Sequence, residues 1–130
     1  DVPGGDGRNA CVAPGDIAEA AVRALTEDAG RHDGRAYALT GPAAISPREQ
    51  TEQLAEVLGR PLRFAELTPE QAGERLRRRY PEPVARALLE SAERQRAGGK
   101  AEVATGVEEA TGRRPVAFRD WAREHADRFR

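Results

Sequence analysis

Apolar residues recur at helical spacing in several separate stretches of this chain. In the stretch DIAEAAVRALTED, which begins at Asp16, apolar side chains fall three to four positions apart, as one face of a helix requires. Those residues are Ile17, Ala21, Val22 and Leu25. Asp16 stands at the N-cap position, with Glu19 as its reciprocal partner, and Gly30 within AGRHDGR ends the periodic stretch. The pattern predicts a helix that begins at Asp16.

Capping sequences predict two further helices. Ser46 opens SPRE and Thr68 opens TPEQ, so each combines a hydroxyl N-cap, a proline at the first helical position and a reciprocal acid or amide. The first of these helices should cover residues 47–58 and end at Gly59, since glycine favours the left-handed conformation after a helix. The second should end before Pro81.

The remaining periodic stretches predict three more helical segments. Residues 84–92 carry the next apolar stripe, which should end at Gly98 and Gly99, and Pro83 is expected to help stop the helix before it. A short turn should follow Thr105 and end at Gly112. The last stripe is formed by Phe118, Trp121, Ala122, His125 and Phe129.

Short strands are predicted at residues 36–39 and 61–67, and at most a brief one at residues 10–13. Residues 1–15 are otherwise rich in glycine and proline and are expected to form a loop. The fold class is therefore α+β, mainly α-helical with two or three short strands, in a single domain over residues 1–130.

The composition argues against a nucleic-acid-binding, membrane-bound or disulfide-stabilised protein. The 130 residues carry 21 basic and 22 acidic side chains, and this balance predicts no bulk attraction to nucleic acid or to an anionic membrane. The single cysteine, Cys11, excludes an intrachain disulfide, so a cytoplasmic location is expected. No apolar run approaches the roughly 20 residues that span a bilayer.

Neither histidine stands in a pattern that implies catalysis or metal binding. His32 lies in a polar stretch and is expected to be solvated. His125 shares a helix face with Trp121 and Phe129, so a packed or partly buried side chain is favoured over a catalytic one. We therefore predict no catalytic residue and no metal ligand.

Cys11 lies in an apolar patch, where an inert thiol is favoured over a nucleophile. An arginine run consists of Arg75, Arg77, Arg78 and Arg79. It could hold a phosphate or an acidic partner, although a solvated helix face is favoured. The best local candidates for substrate binding are the turn Thr40, Gly41 and Pro42, together with His125. For the turn itself, a role needed only for the fold is favoured over contact with a ligand.

Four segments in order carry a resemblance to a known family: PGGDGR, DIAEAAVRAL, YALTGPAAISPREQTEQLAEVLGRPL and EATGRRPVAFRDWAREHADRF. Together they resemble the C-terminal, substrate-side lobe of NmrA-like NAD(P)H-binding proteins, which are atypical short-chain dehydrogenases with a Rossmann-type fold. The resemblance implies that the helix after Asp16 lies close to the cofactor domain. It also implies that the later helices form a smaller lobe over the substrate cleft, and that the full-length family uses NAD(P).

The chain departs from that family because it has no N-terminal dinucleotide-binding sheet. The GGDG sequence from Gly4 follows no predicted strand and opens no predicted helix, so it is not a pyrophosphate loop. No Tyr-x-x-x-Lys pair is present, since Gly41 follows Tyr37 and Val84 follows Tyr80 at that spacing. We therefore expect the chain alone to bind no cofactor, and residues 1–15 to connect to an absent cofactor-binding half.

Two functions stay open. The first is the substrate-side lobe of an NAD(P)-dependent oxidoreductase or sugar-nucleotide-epimerase-like protein, which is not catalytically complete alone. The second is a non-catalytic NmrA-like regulatory or protein-interaction module acting as a homodimer. The expected partners are accordingly the missing Rossmann half or a second copy, with a small-molecule substrate but neither nucleic acid nor membrane. In either case the chain should expose an apolar face.

Overall fold

The protein was analysed as a computed structural model that describes residues 2–3 and 5–130. In chain order the elements are β1 (Val2–Pro3), α1 (Pro14–Thr26), α2 (Ala29–His32), α3 (Pro47–Leu58), β2 (Glu66–Leu67), α4 (Pro69–Arg79), α5 (Glu82–Arg96), α6 (Gly106–Thr111), α7 (Phe118–Glu124) and a 3₁₀ helix (Ala126–Phe129). The predicted, mainly helical character is confirmed.

The two helices with capping sequences begin where the sequence predicts. Ser46 Oγ accepts a hydrogen bond from the Glu49 amide at 3.1 Å, and α3 ends at Gly59 with a φ of 67°. At α4, Thr68 Oγ1 accepts from the Gln71 amide at 3.2 Å, while Gln71 Oε1 accepts from the Thr68 amide at 3.0 Å. The Glu49 carboxylate does not complete the same box but lies 3.0 Å from the Arg8 guanidinium.

The N-cap predicted at Asp16 is wrong. The N-cap lies three residues earlier, at Ala13, and helix α1 begins at Pro14, because proline suits the first helical position and needs no amide acceptor there. Asp16 is instead a buried residue of the first turn. The helix also ends earlier than predicted, at Thr26, and α2 occupies part of the AGRHDGR stretch that was expected to be a loop.

The strand predicted at residues 36–39 is absent. This segment is held by a side chain and by close backbone packing: the Thr40 hydroxyl accepts from the Ala104 amide at 3.0 Å, and Gly106 packs against the Ala38 carbonyl. Of the strand predicted at residues 61–67, only Glu66–Leu67 forms, in parallel with Val2–Pro3. Near residues 10–13 there is a single bridge between Asn9 and Ile45.

Two predicted helix ends also differ. Pro83 does not stop a helix but lies in the first turn of α5, where its missing amide costs nothing. The last stripe divides between α7, which ends at Glu124, and the 3₁₀ helix that follows His125. Trp121 nevertheless holds the stripe together, with its ring 4.6 Å from that of His125 and 6.2 Å from that of Phe129.

The helices pack mainly in pairs, α1 with α6, α3 with α7 and α4 with α5. The buried apolar core of the described residues is made mostly of alanine: Ala10, Ala20, Ala72, Ala85, Ala110, Ala122 and Ala126, with Ile45 and Val107. Small side chains allow helices to approach closely but bury little apolar area each. Several larger apolar side chains consequently lie at the surface. No helix among the described residues combines the length and hydrophobicity needed to span a bilayer.

Candidate functional site

The apolar stripe of α1 lies at the surface. Leu25 is 85% exposed, Val22 53% and Ile17 47%, and Ala21 is exposed between them. The opposite side of the helix is buried at Ala20. Because soluble monomers rarely leave an apolar helix face in water, this face is a candidate contact surface. We call Ile17, Ala21, Val22 and Leu25 the α1 face.

Asp16 anchors α1 at its N-terminal end. Its side chain is fully buried, and Oδ2 accepts a hydrogen bond from the Val116 amide at 2.8 Å. Oδ1 lies 3.5 Å from the Arg113 guanidinium and has no hydrogen-bond partner. The sequence could not reveal this contact, because the two bonded residues are 100 positions apart.

A chain of polar contacts holds the other end of α1, and here the prediction that His32 is solvated is wrong. The His32 side chain is only 7% exposed. Its Nε2 lies 2.8 Å from a Glu27 carboxylate oxygen and its Nδ1 lies 2.9 Å from the Tyr37 hydroxyl. Hydrogen bonds donated by Arg23 and then by His32 lower the pKa of Glu27. The turn through α2 brings these residues together at a spacing of five, which no helical pattern predicts.

The predicted substrate turn makes contacts within the fold. The Thr40 hydroxyl bonds the Ala104 backbone, and the Gly41 amide donates to the Ala10 carbonyl at 3.1 Å. A Cβ at Gly41 would lie 2.0 Å from the Cys11 carbonyl oxygen, so this close approach requires glycine. Pro42 lines a small cavity of about 70 Å³. Ligand contact by these three residues stays a prediction.

His125 lies elsewhere. Its Nδ1 donates to the Trp121 carbonyl at 2.9 Å, so Nε2 is the nitrogen left for another partner. The ring lines a cavity of about 540 Å³ beside the first turn of α1. Asp16 and Arg113 line the same cavity. Pro42 and His125 therefore line different cavities.

Two further cavities adjoin the His125 cavity at Trp121, which lines all three. The larger, about 310 Å³, we call the aromatic cavity. It is lined by Pro47, Gln50, Thr51, Leu54, Arg63, Phe64, Ala65, Phe118, Trp121 and Phe129. The smaller, about 180 Å³, shares Gln50, Phe118 and Trp121 with it and extends to Cys11. The half-buried Cys11 thiol accepts a hydrogen bond from the Gln50 side chain at 3.4 Å.

The arginine run lies on an exposed side of α4, where Arg77 pairs with Glu82 at 2.8 Å. Within the described ranges, no three histidine, cysteine, aspartate or glutamate side chains are placed to hold a metal ion. The structure therefore adds no metal site to the cavities around Trp121.

Gly5 and Gly7 do not form a cradle for NAD(P), and Gly4 of the same stretch lies outside the described residues. A Cβ at Gly5 would lie 2.5 Å from the Phe64 ring, and one at Gly7 would lie 2.8 Å from the Arg96 backbone. Both glycines therefore serve close packing within this chain. The prediction that this stretch follows no strand is wrong, since β1 (Val2–Pro3) precedes it. The next helix begins only at Pro14, so over residues 2–3 and 5–130 no glycine-rich turn joins a strand directly to the N-terminus of a helix, and these residues do not fit a pyrophosphate.

Solved structures show the class of fold. An NADPH-dependent quinone oxidoreductase from Escherichia coli, solved in complex with NADPH, matches with a TM-score of 0.78 and 21% identity. The match covers 99% of this chain and 44% of that structure. The chain thus has the fold of part of that structure. No protein-family model matches the chain.

Sequence relatives narrow the class. The chain is 57% identical over 125 residues to (4-alkanoyl-5-oxo-2,5-dihydrofuran-3-yl)methyl phosphate reductase of Streptomyces griseus. It is 35% identical over 129 residues to NAD(P)H azoreductase of Xenophilus azovorans. The chain spans 44% of each of these curated relatives, which is less than half their length. These findings confirm the resemblance to NmrA-like, NAD(P)H-binding atypical short-chain dehydrogenases, with a share consistent with a C-terminal lobe.

Proposed function

We propose that this chain is the substrate-side lobe of an NAD(P)H-dependent reductase, completed by a Rossmann-type nucleotide-binding half. The observation that carries the proposal is the exposed α1 face. Burial of Leu25 alone, which is 85% exposed, would contribute about 2 kcal/mol to docking. The two reductases related to the chain are each more than twice its length, which leaves room for such a half.

The contacts at both ends of α1 support this role. Asp16 fixes the N-terminal end to Val116, and His32 fixes the stretch after the C-terminal end to Tyr37. A helix held at both ends presents its apolar face with little loss of conformational entropy on docking. The cavity that contains His125 lies beside the first turn of α1. It would therefore lie near the boundary between the two halves and contribute to the substrate cleft.

In the proposed reductase, the nucleotide-binding half binds NAD(P)H. The reaction we propose, by analogy with the two related reductases, is hydride transfer from NAD(P)H to a small organic substrate. This lobe would supply part of the substrate cleft and exclude water from it. We prefer His125 among the four predicted substrate-binding residues, although the sequence put the turn first, because Thr40 and Gly41 bond the backbone within the fold.

The test is to co-express the chain with the part of the Streptomyces griseus reductase that has no counterpart in it. We expect a complex by size-exclusion chromatography with light scattering, and NADPH binding by the complex. Val22→Asp should prevent the complex, because it places a charge in the α1 face. The matched control is Leu88→Asp on α5, whose side chain is also exposed, at 41%.

Two results would overturn the proposal. One is saturable NADPH binding by the chain alone, detected as a change in the fluorescence of Trp121. The other is a complex that Val22→Asp and Leu88→Asp weaken equally. A stable homodimer of the lone chain that Val22→Asp dissociates would instead support the non-catalytic interaction module.

A further inference from the structure

The aromatic cavity has the walls of a ligand site. Its volume of about 310 Å³ is comparable to that of small-molecule sites in proteins, which begin at roughly 300 Å³. Three separate parts of the fold line it and leave it open to solvent: α3, residues 63–65, and the α7 and 3₁₀ segment. The Arg60 guanidinium donates to the Phe129 carbonyl at 2.7 Å and so ties the chain before Arg63 to the 3₁₀ helix.

The apolar part of the lining is aromatic. Phe64, Phe118, Trp121 and Phe129 all contribute to it. The Arg48 guanidinium lies 4.8 Å from the centre of the Phe64 ring and holds that ring in place. Fixed aromatic side chains favour a flat ring over a flexible chain, because ring pairs add stacking or edge contacts to simple burial.

The only charge in the lining of the aromatic cavity is positive. Arg63 is the only charged residue of the lining, and no carboxylate is among the lining residues. The Thr51 hydroxyl donates to the Pro47 carbonyl at 3.0 Å, and one of the two Gln50 amide hydrogens is donated to Cys11. The Arg63 side chain is exposed and has no ion pair within the described part of the chain. The charge that this cavity can accept is therefore negative.

We infer that the aromatic cavity binds a flat aromatic carboxylate, with the ring among the aromatic side chains and the carboxylate on Arg63. Arginine suits this role because its planar guanidinium can donate two parallel hydrogen bonds to a carboxylate. No residue of α1 lines the cavity. The site is therefore separate from the α1 face, and its test does not depend on the proposed nucleotide-binding half.

The experiment is a titration of the chain with 2-naphthoate, followed by the indole N–H resonance of Trp121. The chain has a single tryptophan, so one resonance reports on binding beside Trp121. Because Trp121 lines two other cavities as well, variants at Arg63 and Ala65 assign the shift to the aromatic cavity. We expect a saturable shift, and about tenfold weaker binding of the uncharged 2-naphthamide. Calorimetry gives the two affinities independently.

Variants separate Arg63 from a general effect of positive charge. Arg63→Gln should weaken naphthoate binding about tenfold and leave naphthamide binding unchanged. Arg114→Gln is the matched control, since Arg114 is exposed and is not part of the lining. Ala65→Leu should fill part of the cavity and weaken both ligands, with circular dichroism to verify the fold. Absence of a saturable shift, equal affinity for the two ligands, or equal effects of the two arginine variants would overturn the inference.

Discussion

Removal of the Asp16 carboxylate should destabilise the chain more than loss of a helix cap would. The side chain is fully buried, and its hydrogen bond joins the first turn of α1 to Val116, close to the start of α7. In Asp16→Ala the partly buried Val116 amide loses its acceptor. The change therefore affects the packing of two distant parts of the chain.

The magnitude can be worked from these contacts. A hydrogen bond to a charged group contributes about 1.5–3 kcal/mol, and a partly buried amide left without its acceptor adds about 1 kcal/mol, the lower end for a buried group. The Arg113 partner is half-exposed and 3.5 Å away, so its loss adds little. We expect Asp16→Ala to lower the free energy of unfolding by about 3 kcal/mol, and Asp16→Asn by about 1 kcal/mol because its amide oxygen can still accept.

Urea denaturation followed both by helical circular dichroism and by Trp121 fluorescence measures these differences, provided the two probes give one transition. Asp120→Ala is the control: this carboxylate is exposed and pairs with Arg123 at 3.0 Å, so about 0.5 kcal/mol or less is expected. If Asp16 acted only as an N-cap, alanine would cost about 1 kcal/mol and asparagine almost nothing. That pair of values would refute the buried link to Val116.

Two further predictions concern glycine packing and the Glu27 carboxylate. Gly106→Ala should cost about 2 kcal/mol or more, because the new Cβ would lie 2.0 Å from the Ala38 carbonyl oxygen. Gly15→Ala in α1 should be neutral or stabilising, since nothing lies within 4 Å; equal denaturation midpoints for the two variants would contradict this reasoning. Hydrogen bonds from Arg23 and His32 hold the pKa of Glu27 below its ordinary value of 4.5, so its contribution to stability is present above that pH and is lost as pH falls through the folded-state pKa. The difference in urea midpoint between wild type and Glu27→Gln should therefore shrink as the pH is lowered from 6 to 3. A difference that stays constant would contradict the lowered pKa of Glu27.

Local signals in the sequence were sufficient for the helices with side-chain caps. The bounds of α3 and its glycine end follow from Ser46 and Gly59, because a cap and a left-handed glycine act on the turn next to them. Strand formation at residues 36–39 could not be judged in the same way, since a strand needs a partner that the local sequence does not specify. The segment is instead positioned by the Thr40 hydroxyl and by Gly106, whose lack of a side chain lets the Ala38 carbonyl approach closely.

The same distinction explains why the candidate sites were harder to predict than the helices. Helical spacing indicates that Ile17, Val22 and Leu25 share one side of α1, but it does not say what that side contacts. The structure packs the other side, around Ala20, against this chain and leaves the apolar side in water. His32 shows the converse, because a polar stretch folds so that a histidine is enclosed between Glu27 and Tyr37. The core of this chain is rich in alanine, and its larger apolar residues lie outside. A partner that binds the α1 face only in the folded state would therefore stabilise the chain, because such binding shifts the unfolding equilibrium.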